Sequence, residues 1–236
     1  MNVSVPLPSG GTMTEPDFSV LRQSMIAEIA AKTAFVSTQL GKAVLDPRVM
    51  NAMAKVPRHE FVLLELRPYA YADTPLPSCF DKTISQPFIV AVMTDLLELR
   101  PTDTVLEIGT GLGYQTAILA ELAQHVYSIE IIEEMAVQAR QRLARHGYTN
   151  VDIKIGNGCG GWPEHAPFDK VIVTAAPDLI PPPLIYQLKP GGKMVIPAGL
   201  PNDQQLILVE KDASDAVSTR DILPVRFSLL EDAEPG

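Results

Sequence analysis

Val105-Leu106-Glu107-Ile108-Gly109-Thr110-Gly111-Leu112-Gly113-Tyr114 carries an apolar strand straight into three alternate glycines and then into a helix. Glycine has no Cβ and tolerates positive φ, so the chain can turn tightly at the strand's carboxyl end and leave helix N–H groups facing a bound molecule. A dinucleotide site places Gly or Ala five residues after its first glycine. Here that position is Tyr114 counted from Gly109 and Thr116 counted from Gly111, so the pyrophosphate rule fails in both frames. Glu107 points the same way: a carboxylate before Gly109 repels a pyrophosphate and suits a ligand bearing an ammonium group, directly or through water. After a helix expected over 113–123, His125-Val126-Tyr127-Ser128-Ile129-Glu130 reads as a second strand ending in an acid. That acid lies about 20 residues beyond the glycines, where ribose hydroxyls are gripped. Glu130 is therefore the expected ribose ligand, with Gly109, Thr110, Gly111 and Gly113 forming the turn against the nucleoside.

Working outward, apolar residues at helical spacing predict a helix from Asp17 to Leu40 and another from Pro47 to Val56. Downstream, a helix is expected from Ile132 to His146, a third strand over Val151–Ile155, a fourth over Asp169–Thr174 and a fifth over Gly192–Pro197, with a proline-led helix over 181–188. Two further β-like runs, Gln204–Glu210 and Thr219–Phe227, predict a hairpin that adds an antiparallel edge. The fold class is therefore α/β, doubly wound and mostly parallel, with helices on both faces, an N-terminal helical extension and an antiparallel C-terminal edge.

The 236 residues are 46% apolar, ample for the core of one large domain. Residues 1–15, rich in Pro and Gly, are expected to be a mobile tail, and 16–236 a single domain. A net charge of -9 without a Lys/Arg stripe argues against nucleic acid and anionic membrane as partners. No apolar run reaches the ~20 residues of a membrane span and no secretory signal is recognisable, so a cytoplasmic location is expected. Cys79 and Cys159 have no metal-ligand spacing, so reduced thiols and no metal are expected. His59, His125, His146 and His165 have no partners at catalytic spacing and are read as structural or solvated.

The E-x-G-x-G-x-G pattern resembles motif I of class I S-adenosylmethionine-dependent methyltransferases, a Rossmann-like fold. A more specific string is Thr83-Ile84-Ser85-Gln86-Pro87, two hydroxyls and an amide at the mouth of a helix. On composition alone Ser85 is a helix cap, with Pro87 comfortable in the first turn. Taken with Val56-Pro57-Arg58-His59-Glu60-Phe61-Val62, Tyr71-Ala72-Asp73, Gly161-Trp162-Pro163, Leu188-Lys189-Pro190-Gly191-Gly192 and Val195-Ile196-Pro197, the string resembles the protein-L-isoaspartate O-methyltransferase family over about residues 35–230.

That resemblance implies methyl transfer from S-adenosyl-L-methionine to the carboxylate of isoaspartyl residues in damaged proteins, with S-adenosyl-L-homocysteine as product and succinimide-mediated repair afterwards. It makes Ser85 the catalytic serine that holds the acceptor carboxylate, with Thr83, Ile84 and Gln86 shaping that end of the pocket. Residues 16–100 would then be the helical and acceptor-site part, 101–200 the cofactor core and 201–236 the C-terminal strands. Asn157 and Gly158 are expected at the adenine, Asn157 as amide donor and acceptor; the bland reading is an Asn-Gly turn. Trp162 is expected to pack near the cofactor. A carboxylate with a pKa near ~4 is already ionised at neutral pH, so this nucleophile needs no general base and alignment matters more than activation.

Ser78-Cys79-Phe80-Asp81-Lys82 replaces the family's usual glycine-containing stretch, and Ser228-Leu229-Leu230 its usual Val-Pro-Leu ending, which normally helps cover substrate. A monomer is expected, rather than an obligate oligomer. Two other readings fit the residues alone: a carboxyl methyltransferase for another peptide or small acid, and a non-catalytic module that binds S-adenosylmethionine.

Overall fold

The structure, a computed structural model, describes residues 13–231. Most of the expected N-terminal tail, 1–12, thus lies outside the described residues. Glu15 already belongs to the first helix, α1 (Glu15–Phe35), because Thr14 and Asp17 close its first turn: the Thr14 N–H and hydroxyl both donate to Asp17 Oδ2 at 2.8 Å. The single helix expected to Leu40 breaks at Val36 and resumes as one turn, α2 (Ser37–Leu40), which Gly41 ends in the left-handed region. α3 (Pro47–Lys55) starts on Asp46, whose carboxylate accepts from Arg48 N. Two 3-10 turns, Arg58–Glu60 and Leu64–Tyr69, lead to a small hairpin of β1 (Leu76–Pro77) and β2 (Thr83–Ile84), followed by α4 (Pro87–Leu96).

The main sheet then builds from β3 (Thr104–Ile108), α5 (Tyr114–Ala120), β4 (His125–Glu130), α6 (Glu133–Arg145), β5 (Val151–Ile155), β6 (Phe168–Val173), α7 (Pro182–Tyr186), β7 (Leu188–Leu200), β8 (Asp203–Lys211) and β9 (Val217–Val225). Its strand order is β5-β4-β3-β6-β7-β8-β9, parallel from β5 through β7 and antiparallel at β8 and β9. The doubly wound sheet with an antiparallel edge is as expected. β7 runs well beyond the expected 192–197 because Leu188 pairs with Phe168 of β6 at one end and β8 pairs along it to Leu200 at the other. β9 stops at Val225, short of the expected Phe227, which instead exchanges hydrogen bonds with the Gln204 side chain.

Strand alternation sorts the core into two. Val105, Val126 and Ile172 face α1, α3, α4 and α5, while Leu106, Ile108, Val171 and Val173 face α7 and Trp162. Helices that pack on opposite faces leave a crevice where the order reverses, between β3 and β6, at the carboxyl ends of the strands. The site lies in that crevice.

Candidate active site

The glycine turn forms the floor. Gly109 has φ 94°, and a Cβ there would lie 2.3 Å from Thr174 Oγ1, which donates to the Gly109 carbonyl at 2.7 Å. Gly111, φ 57°, donates its N–H to Glu130 Oε2 at 2.7 Å, and the other carboxylate oxygen accepts from Ile132 N at 3.0 Å. Glu130 is thereby fixed at the end of β4 and faces the cavity, with lone pairs left for hydroxyl donors. Gly109, Thr110, Gly111 and Glu130 all line this cavity, joined by Gly156 and Gly158 from the end of β5 and Thr174 from β6. Gly158 is a close approach of another kind: a Cβ would collide with Ile108 Cγ2 at 2.3 Å.

Three expected cofactor residues stand elsewhere. Gly113, φ 95°, does not line the cavity; it opens α5 and lies against Ala139 and Leu143 of α6. Asn157 turns its Oδ1 back to Cys159 N at 2.8 Å and caps a 3-10 turn, the bland reading of Asn-Gly, while the neighbouring glycines face the cavity. Glu107 is fully buried behind the turn. Alternation along β3 points it at α5 and at its register partner Ser128, and its Oε2 accepts from Thr116 and Ser128 hydroxyls, each at 2.6 Å. Burial pushes this carboxyl up to about 8 against the pull of those two donors. Glu107, expected to meet a ligand ammonium directly or through water, thus lies beneath the turn and does not line the cavity: Ser128 links it to Thr110, whose hydroxyl lies 2.5 Å from the Ser128 hydroxyl.

At the opposite end, Thr83 and Ser85 line both this cavity and a second one bounded by Gln86, Ile89, Val225 and Arg226, and Phe227 also borders both. Ile84 faces the first cavity only, and Gln86 the second. Ser85 does not cap α4. Asp73 takes that role, accepting from Phe88 N at 2.7 Å and from Gln86 Nε2 at 2.9 Å, and it forms an ion pair with Lys32. The Ser85 carbonyl is held by Arg58 Nη2 at 2.7 Å. Sequence reasoning missed both Asp73 and Arg58 as site residues. Their signal was their place in the quoted strings, with no side-chain pattern of its own.

A strap closes the cavity. Ser228 and Leu230 bond the backbone of Ala176, each at 2.8 Å, and carry Leu229 and Glu231 to the cavity wall. Facing it, Phe80 and Asp81 both adopt left-handed φ (57° and 56°), with Lys82 N bonded to the Cys79 carbonyl, a turn that usually demands Asn-Gly. Lys82 leaves that turn and forms an ion pair with Glu231. None of the four histidines lines either cavity, and Trp162 packs edge-on to Tyr127 outside the cavity wall. Among the described residues no group of His, Cys, Asp and Glu is placed to hold a metal ion.

A family model described as protein-L-isoaspartate(D-aspartate) O-methyltransferase matches residues 31–234. The chain is 55% identical over 222 residues to protein-L-isoaspartate O-methyltransferase 2 of Syntrophobacter fumaroxidans, covering 93% of this chain and 90% of that one. It is 53% identical over 226 residues to protein-L-isoaspartate O-methyltransferase 1 of Cupriavidus necator, covering 95% and 87%. Among solved structures, a protein-L-isoaspartate O-methyltransferase superposes with a TM-score of 0.71 at 28% identity, over 85% of this chain and 65% of that one. A Plasmodium falciparum protein solved with S-adenosyl-L-homocysteine shares the fold with a TM-score of 0.75 at 21% identity, over 90% and 99%.

Proposed function

Because the chain belongs to the protein-L-isoaspartate(D-aspartate) O-methyltransferase family, we propose that its two joined cavities hold the methyl donor and the acceptor, and that the methyl group passes between them at Thr83 and Ser85. The protein is an S-adenosylmethionine-dependent methyltransferase of isoaspartyl carboxyl groups in damaged proteins. The cradle suits a nucleoside: bare glycine backbone at Gly109, Gly111, Gly156 and Gly158 along the cavity wall, and an acid held at the end of β4. When bound, S-adenosylmethionine supplies a methyl group activated by a sulfonium.

The chain's own residues do the rest. Glu130 would bind the ribose hydroxyls while Gly111 N–H fixes its rotamer. Gly156 and Gly158 would lie against the base. Glu107, through Ser128 and Thr110, would stiffen the turn rather than touch the ligand. Ser85 would donate its hydroxyl to the acceptor carboxylate and leave the second oxygen free to react. Ile84 and Phe227 would exclude water, and Gln86, tied to Asp73, would wall the acceptor side. Positioning of this kind is worth about 7–11 kcal/mol in well-oriented reactions, so no base is required of the protein.

One observation carries the assignment: Ser85 borders both cavities. Ser85→Ala should leave S-adenosylmethionine affinity by calorimetry within about twofold and lower methyl transfer at least tenfold, because its hydroxyl is assigned to the acceptor alone. Unchanged turnover would remove the serine from the site. We also infer a cytoplasmic monomer. No described helix is long and apolar enough to cross a membrane. Sedimentation of an active dimer alone would oppose that reading.

A further inference from the structure

Arg58 is fully buried, yet no carboxylate among the described residues lies within ion-pair distance of it. Its Nε donates to the Ala70 carbonyl at 2.8 Å and its Nη2 to the Ser85 carbonyl at 2.7 Å. The guanidinium lies over the Tyr114 ring, 4.7 Å from Cζ to the centroid, and Nη1 is buried without a partner. Asp73, whose charge acts on it from further off, is already engaged by Lys32, Gln86 and Phe88. Buried charges are ordinarily paired, because removal from water is otherwise uncompensated.

Arg58 itself borders neither cavity, but the Tyr114 ring it lies over and the Ser85 carbonyl it holds belong to residues that line the donor cavity, and Ser85 lines the acceptor cavity as well. We propose that Arg58 is a positioning residue for the acceptor: it fixes the Ser85 backbone from beneath and supplies a buried positive charge whose missing counter-ion is the incoming isoaspartyl carboxylate. This rests on the assignment of Ser85 to the acceptor. Burial pushes the guanidinium down to about 10, which leaves it charged at neutral pH. A planar fork is needed to reach Ala70 and Ser85 together, and a lysine would keep the charge but lose one of those two bonds. A mere clamp between the two carbonyls would be indifferent to the acceptor's charge.

The test compares Arg58→Met, Arg58→Lys and Ser85→Ala in the full chain, with kcat and KM on an isoaspartyl peptide and S-adenosylmethionine affinity by calorimetry. Arg58→Met should raise the peptide KM by roughly tenfold or more, leave cofactor affinity within about twofold, and be partly rescued by Arg58→Lys. A lowered melting temperature and kcat with unchanged KM would reduce Arg58 to a clamp and overturn the proposal. Ser85→Ala keeps the carbonyl that Arg58 grips and so separates the two assignments. Normal turnover there, with a raised KM in Arg58→Met, would dismiss the serine hydroxyl and keep the arginine. If Arg58→Met does not fold, the wild-type enzyme decides: it should bind the isoaspartyl peptide at least tenfold more tightly than the neutral isoasparaginyl counterpart, equal binding would overturn the proposal, and because a buried charge is little screened the peptide KM should stay nearly flat from about 0.05 to 0.5 M salt. A steep rise in KM would assign the carboxylate to exposed bases such as Lys82 and Arg226 and overturn the proposal.

Discussion

At Gly111 the backbone, φ 57°, both turns toward α5 and presents its N–H to Glu130, so a branched side chain there would be strained and would project into the donor cavity. Gly111→Val should weaken S-adenosylmethionine binding at least tenfold, equivalent to ~1.4 kcal/mol or more, by calorimetry; retained affinity would contradict the floor assigned here. Glu107 makes a different kind of prediction. Its folded-state carboxyl is raised from 4.5 to about 8, so the native protein holds a proton that the unfolded chain releases in that interval. Stability contributed by this group is therefore greatest at the acidic end and falls as pH rises from 4.5 towards about 8. Glu107→Gln, neutral throughout, should flatten the melting temperature's fall across that window relative to wild type. Parallel profiles would mean that the wild-type carboxyl is already ionised there.

Among the elements, α4 depends on a cap that comes from a distant segment. The Asp73 side chain is buried and serves Phe88 N, Gln86 and Lys32 at once, so Asp73→Ala removes the cap and leaves a buried amide donor unpaired. A loss of about 2 kcal/mol is expected, read as a melting temperature lower by roughly 4–8 °C. An unchanged melting temperature would mean that α4 needs no cap. The β1–β2 turn and the C-terminal strap are joined by the ion pair of Lys82 and Glu231 at the cavity wall. That pair is partly exposed and worth at most about 1 kcal/mol. Lys82→Gln should therefore lower the melting temperature by no more than about 2–4 °C, consistent with this small energy, while speeding release of bound S-adenosyl-L-homocysteine in stopped flow. Release at the wild-type rate would show that the strap is held by Ala176 alone.

Over the whole molecule, what repeats locally was legible and what depends on distant partners was not. Period-2 alternation and glycine punctuation placed β3, β4, β5 and β6, the β8–β9 edge, and the turn of Gly109 and Gly111 against Glu130. The same alternation, applied one step further, would have turned Glu107 away from the ligand and towards Ser128. Asn157 is read at the adenine because its amide suits that base; its Oδ1 takes a local donor, Cys159 N, two residues away. On composition alone Ser85 reads as a cap, because nothing in the linear chain announces that Asp73 folds back to take that place; the resemblance, not the pattern, assigns it to the acceptor. Arg58 acquires meaning only when Ala70, Ser85 and Tyr114 converge on it. Such convergence is a property of the fold, so the donor floor was readable while the support under the acceptor end was not. The account as a whole is tested most directly by methyl transfer from labelled S-adenosylmethionine to matched isoaspartyl and aspartyl peptides. It predicts base-labile label on the isoaspartyl peptide alone; equal labelling of both, or none on either while the cofactor binds, would contradict it.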